Sequence, residues 1–211
     1  MAINHSSLGK VLSDIKSISP KTNLLVVSKN RSQEDVIELL KKGYRLFGEN
    51  RVQEASQKFE ELNEKFNFDL HLIGPLQTNK VELALKTFTV IQSLDRIKLV
   101  ETILKFINKK TNVKTQKFYI QVNIGDEEQK SGVAMNEVIN FYNYCSNLLT
   151  VEGFMCIPPE GKEPEFFFEK LINIKNNIDP SLKVSMGMSN DYKLALKKNS
   201  DIIRIGSMIF K

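Results

Sequence analysis

A lysine, an arginine and two glycine–serine pairs are the residues of this chain whose types and spacing could do chemistry together. Lys29 closes the apolar run LLVVSK at 24–29, where Leu25 and Val27 alternate with it at strand period. If those two fill the interior of a sheet, Lys29 continues onto the same side. A lysine held there is partly desolvated, which favours the neutral amine that attacks an aldehyde to form an imine. Late in the chain, GMSND at 187–191 and GSM at 206–208 each set glycine beside serine at a loop or helix start. Backbone N–H groups and a hydroxyl can converge there on an anion such as a phosphate. Taken singly, each pair is better explained as a turn glycine with a capping serine. Their paired location favours phosphate, with Ser189, Gly206 and Ser207 as the candidates.

Arg204 shares strand parity with Gly206 and should project inward with Lys29. An inward arginine needs a partner. It either pairs with an acid such as Glu49 or donates to the pyridine nitrogen of a bound pyridoxal phosphate (PLP) ring. In the second case the guanidinium stays cationic and offers no base, so the ring nitrogen remains unprotonated and the cofactor is a weaker electron sink than with an aspartate partner. His71, in the middle of FDLHLIG, reads as a satisfied core or barrel-layer histidine. His5 carries no signal. No His/Cys/carboxylate grouping has metal-ligand spacing, and no catalytic nucleophile with base and orienter can be assembled.

These residues need a scaffold that gathers strand ends. Eight apolar or β-branched runs alternate with helical patterns, at 24–29, 44–49, 68–74, 88–93, 118–123, 151–157, 182–186 and 201–206. That alternation predicts βα units and a parallel sheet, and eight is the number of a closed (β/α)8 TIM barrel. The helical patterns run over 32–43, 50–65, 79–86, 95–108, 136–148, 164–176 and 191–199, with an extra N-terminal helix over 7–18. In the first of them Ser32 is an N-cap and Gly43 the stop. Closure sets the eighth run beside the first, bringing Arg204 and Ser207 toward Lys29. An open doubly wound sheet ranks second, because GxGxxG and Walker A motifs are missing. The expectation is one α/β domain over 1–211, with phosphate held by the loops after the seventh and eighth runs.

Composition narrows the function classes. No apolar run approaches bilayer length, and MAINHSSLGK has no apolar core of a secretory signal, so a cytoplasmic protein is expected. Two cysteines, Cys145 and Cys156, fit a reducing compartment as half-buried structural thiols. The net charge of +5 comes from 30 basic residues scattered among 25 acidic ones. Only Lys109, Lys110, Lys114 and Lys117 cluster, as a solvated helix end and loop. Nucleic-acid binding is therefore not expected.

The motifs VSKN around Lys29, RLFGENRVQE at 45–54, HLIGPLQTNK at 71–80, QVNIGDEEQKSG at 121–132, GFMCIPP at 153–159, SMGMSND at 185–191 and RIGSMIF at 204–210 together resemble the pyridoxal phosphate homeostasis proteins, the YggS/PROSC-like family. The resemblance spans nearly the whole chain in order. It implies a barrel similar to the N-terminal domain of alanine racemase, with PLP as a Schiff base on Lys29. Phosphate contacts then fall on Ser189, Gly206 and Ser207, Arg204 faces the pyridine nitrogen, and Asn50 lies near the cofactor. Departures are Leu70, where tryptophan is frequent, and Ser207, where threonine is frequent. The implied role is PLP supply and vitamin B6 balance without a dedicated reaction, with PLP-dependent apo-enzymes as candidate partners and a monomer as the default. Related racemases take a second acid/base from a further domain, and the chain reaches Lys211 soon after its eighth run. The alternatives are a weak PLP-dependent amino-acid racemase and a barrel enzyme that binds a phosphorylated metabolite without PLP.

Overall fold

The computed structural model describes residues 3–109 and 113–210. The strands are β1 (Asn23–Val27), β2 (Leu46–Glu49), β3 (Asp69–Leu72), β4 (Val90–Leu94), β5 (Lys117–Asn123), β6 (Val133–Ala134), β7 (Val151–Cys156), β8 (Lys183–Ser185) and β9 (Ile202–Ile205). They pair in the order β4-β3-β2-β1-β9-β8-β7-β5, and β4 also pairs with β5, so eight parallel strands close into a barrel. The helices are α1 (His5–Ile18), α2 (Gln33–Lys41), α3 (Val52–Phe59), α4 (Leu62–Lys65), α5 (Val81–Thr87), α6 (Ile97–Asn108), α7 (Val138–Ser146), α8 (Pro164–Ile178) and α9 (Tyr192–Lys197). The expected TIM barrel is thus present, and α1 is its extra N-terminal helix.

Strand parity divides the apolar residues into two compartments. Leu25, Val27, Val90, Tyr119, Met155 and Ile202 form one buried cluster inside the barrel. Their neighbours Val26, Ile91, Ile120, Phe154 and Ile203 belong to the larger cluster packed under the helices. Period-2 alternation therefore fixes which residues reach the barrel mouth, since each inward residue is followed two positions later by another.

Local signals explain the helices. The Ser32 hydroxyl accepts from the Asp35 N–H at 3.3 Å and starts α2, as its sequence suggests. The pattern over 50–65 is broken into α3 and α4. The Asn63 side-chain amide donates to the Phe59 carbonyl at 2.8 Å, occupying the acceptor that a continuing helix would give to its own backbone. The two-residue β6, paired beside β5 at Val122 and Val133, is too short for periodicity to reveal.

Three expectations need correction. Cys145 and Cys156 are fully buried rather than half-buried, and burial pushes both thiols up to about 12. Lys117 is not in a loop: it begins β5 and pairs with Glu152 at 2.8 Å. Lys114, half-buried, donates to Asn63 at 2.7 Å. Lys110 of the same cluster, and Lys211, lie outside the described residues.

Candidate functional site

The C-terminal ends of the strands carry the site. Leu25 lies opposite Arg204 and Val26 opposite Ile205 in the β1–β9 register, so Gly206 sits beside Val27, two residues before Lys29. A Cβ on Gly206 would stand 3.0 Å from the Val27 carbonyl oxygen, and the bare backbone is what lets the last loop lie this close to the lysine strand. The structure therefore brings Lys29, Gly206 and Ser207 to one rim.

Lys29 itself is exposed. The expected partial desolvation is not found, because β1 ends at Val27 and the lysine stands exposed on the loop beyond it. Its flanking residues are held firmly. Ser28 donates its hydroxyl to Glu49 at 2.7 Å, and the Asn30 N–H donates to Glu54 at 2.6 Å. Lys58 joins the two carboxylates, reaching Glu49 and Glu54 at 2.9 Å each and the Ser28 carbonyl at 2.8 Å. Asn30 takes a left-handed conformation with φ 58°, so the chain turns sharply just after Lys29.

This buried cluster was not foreseen from the sequence. It resolves the question of Glu49, whose partners are Ser28 and Lys58 and not Arg204. Glu49 shares parity with Phe47, which faces the helices, so its carboxylate meets α3 instead of the barrel interior. Burial pushes the Glu49 carboxyl up, against the opposing pull of Lys58 and Ser28. At Glu54 partial burial also raises the carboxyl, but the bonds from Lys58 and Asn30 outweigh it and the net direction is down.

Arg204 does point inward, and it is 4% exposed. Its Nη1 donates to the Ser185 carbonyl at 2.7 Å and the Ser185 hydroxyl at 2.9 Å, and its Nη2 donates to the Cys156 carbonyl at 2.8 Å. Nε and the second Nη2 hydrogen have no partner among the described residues, leaving donors for a group in the mouth. The Ser185 hydroxyl donates to Gln92 Oε1 at 2.7 Å, and Gln92 Nε2 meets His71 Nδ1 at 2.7 Å. A polar chain thus crosses the barrel interior from Arg204 to His71. Its sequence signal was present: Gln92 and Ser185 hold the inward parity of Val90 and Lys183.

Two of the three phosphate candidates meet. Ser207 Oγ donates to Ser189 Oγ at 3.0 Å across the loops that follow β9 and β8. Gly187 makes the β8 loop possible, with φ +96° and its Cβ position only 2.5 Å from the Ala195 Cβ. Asp191 then holds the turn by accepting from the Met188 N–H at 2.5 Å. Asn50, one residue past β2, has a buried Oδ1 with no hydrogen-bond partner among the described residues. A buried acceptor left unpaired costs about 1–3 kcal/mol and calls for a partner.

An eight-stranded parallel barrel whose mouth gathers an exposed lysine, a hydroxyl pair and an inward arginine defines a protein of the alanine racemase N-terminal domain class. The family model of that description matches residues 3–211. A relative from Aquifex aeolicus, a pyridoxal phosphate homeostasis protein, is 36% identical over 89% of this chain and 85% of its own. Another of that name from Schizosaccharomyces pombe is 32% identical over 100% of this chain and 93% of its own. The chain belongs to the pyridoxal phosphate homeostasis protein family. Among solved structures, PipY of Synechococcus elongatus with PLP bound superposes with a TM-score of 0.82 at 29% identity, over 98% of this chain and 99% of that one. Alanine racemase from Bartonella henselae, at 15% identity and TM-score 0.74 over 96% of this chain and 57% of that one, shares the fold alone.

Proposed function

We propose that this chain binds PLP and serves its homeostasis, holding the cofactor through Lys29 and having no dedicated reaction of its own. The observation that carries the reading is the convergence at one barrel mouth of an amine, a hydroxyl pair and an inward guanidinium. Each suits a different part of one molecule. Lys29 would take the aldehyde carbon, Ser189, Ser207 and the Gly206 backbone the phosphate, and Arg204 the pyridine nitrogen. The unpartnered Asn50 Oδ1 supplies an acceptor in the same mouth. When bound, PLP supplies an electrophilic aldehyde and an electron-withdrawing ring.

The protein's own residues favour storage over turnover. Lys29 stands exposed, where incoming and outgoing amines can reach it. Arg204 cannot hand a proton to the ring nitrogen, which weakens carbanion stabilisation. The cofactor is therefore held without being strongly activated, and PLP-dependent apo-enzymes are the proposed recipients. The whole segment 1–211 would act as one PLP-binding domain, a monomer in the cytoplasm. Among the described residues no helix is long and apolar enough to cross a membrane.

The test is transfer. PLP-loaded protein is mixed with a PLP-dependent apo-enzyme beside a scavenger of free PLP, and recovery of that enzyme's activity is followed. Recovery despite the scavenger supports a supply role. In parallel, sustained entry of solvent deuterium at the α-carbon of free amino acids, over many turnovers, would replace this reading by a racemase.

A further inference from the structure

The opposite end of the barrel holds a second cavity lined by charged residues. A cavity of about 450 Å³ opens at the N-terminal ends of the strands, and its lining includes His71, Tyr119, Lys117, Lys183 and Glu152. Lys117 and Lys183 begin their strands, while His71 and Tyr119 sit two residues further in. The lysine side chains are 47% exposed and His71 is 5% exposed, so the site has a cationic rim and a buried floor.

The floor is a fixed donor. His71 Nδ1 faces Gln92 Nε2 at 2.7 Å, and Gln92 Oε1 must accept from Ser185, whose own oxygen accepts from Arg204. Every donor in that chain therefore points away from Arg204, and His71 Nδ1 can only accept. The ring proton is then on Nε2, which has no partner among the described residues. At the rim, Lys117 and Lys183 share one oxygen of Glu152, at 2.8 and 2.9 Å, and their ammonium groups make no other hydrogen bond among the described residues. Arg45 adds a third cation, engaged among the described residues by the Leu40 and Tyr44 carbonyls, and Asp69 a second carboxylate, so the lining carries three cations against two carboxylates.

We infer that this mouth binds a small dicarboxylate, with one carboxylate accepting from His71 Nε2–H at the floor and the other held by Lys117 and Lys183 at the rim. Two strand residues separate those levels by about 6–7 Å, which matches the span between the outer oxygens of a four-carbon diacid. A compact anion such as phosphate would reach only one level.

The chain has two histidines, His5 and His71, which makes the site directly observable. Protein labelled with ¹⁵N-histidine is titrated with succinate, without added PLP so that the outcome is independent of the cofactor reading. The expected result is a saturable shift of the His71 Nε2–H resonance with His5 unmoved. Binding should weaken by about tenfold or more in the Lys117→Met, Lys183→Met double variant, whose substituted side chains are half-exposed and whose fold is verified by unchanged backbone amide resonances. No saturable shift, an equal affinity in the double variant, or a shift with inorganic phosphate and none with succinate would each overturn the assignment.

Discussion

Ser207 and Ser189, eighteen residues apart in sequence, place their hydroxyl oxygens 3.0 Å from each other. The contact joins the loops after β8 and β9 and presents two hydroxyls to one point. Replacing both by alanine should weaken PLP binding by about 3–6 kcal/mol, at roughly 1.5–3 kcal/mol for each hydrogen bond to a charged group. Absorbance titration with PLP measures this. Thermal stability should stay nearly constant, because Ser207 is exposed.

Arg204 anchors the interior as well as the mouth. In Arg204→Met the Ser185 and Cys156 carbonyls lose their donor, at about 1–3 kcal/mol for each acceptor left unpaired. Urea unfolding should show that loss. Arg204→Lys should recover little of it, since a single ammonium cannot reproduce the planar fork that spans both acceptors. In either variant the visible band of bound PLP should also move, because the proposed partner of the ring nitrogen has changed.

Lys58 is 7% exposed and Glu49 is fully buried beside it. Lys58→Met leaves a buried carboxylate unpaired and should cost about 3–5 kcal/mol at neutral pH. Burial already raises the Glu49 carboxyl in the native protein, and losing Lys58 raises it further. A carboxyl raised in the folded state contributes stability below its unfolded pKa and loses it as pH rises through the folded value. The variant should therefore regain stability on acidification, and Glu49→Gln in the same background should remove that pH dependence.

Burial holds His71 down to about 3, outweighing the opposing pull of Glu152. An unfolded histidine takes up its proton near roughly 6.5, so below that pH the unfolded chain binds more protons. The contribution of His71 to stability is full above that value and falls as pH drops toward the folded value. NMR titration should show the His71 ring resonances constant from neutral pH to well below 6. A midpoint near the unperturbed value would contradict the burial argument.

The barrel and much of its mouth were legible in the sequence because both follow from period 2. Leu25 and Val27 alternate into the barrel as read, and Arg204 lies beside Leu25 in the β1–β9 register, while Lys29 follows two residues beyond the end of β1. Adjacent placement of the first and eighth runs follows from closure. What escaped notice depends on contacts between distant elements. Nothing local to Lys58 says that it reaches Ser28 and Glu49, and the chain from His71 to Arg204 joins four different strands. The exposure of Lys29 was also missed, since parity tells which way a side chain points and not how far the strand extends. The phosphate candidates were legible in the two glycine–serine pairs, whereas the choice of the ring nitrogen for Arg204 and the place of Asn50 near the cofactor came from the family resemblance.

The most direct test of the central claim is covalent capture. Purified protein is incubated with PLP, its visible absorbance recorded, borohydride added, and the digest mapped by mass spectrometry beside Lys29→Ala. The account predicts a visible band that borohydride removes, with the pyridoxyl mass on the peptide containing Lys29, and neither in the variant. A wild-type protein that stays colourless, or a label that persists elsewhere when Lys29 is gone, would contradict it.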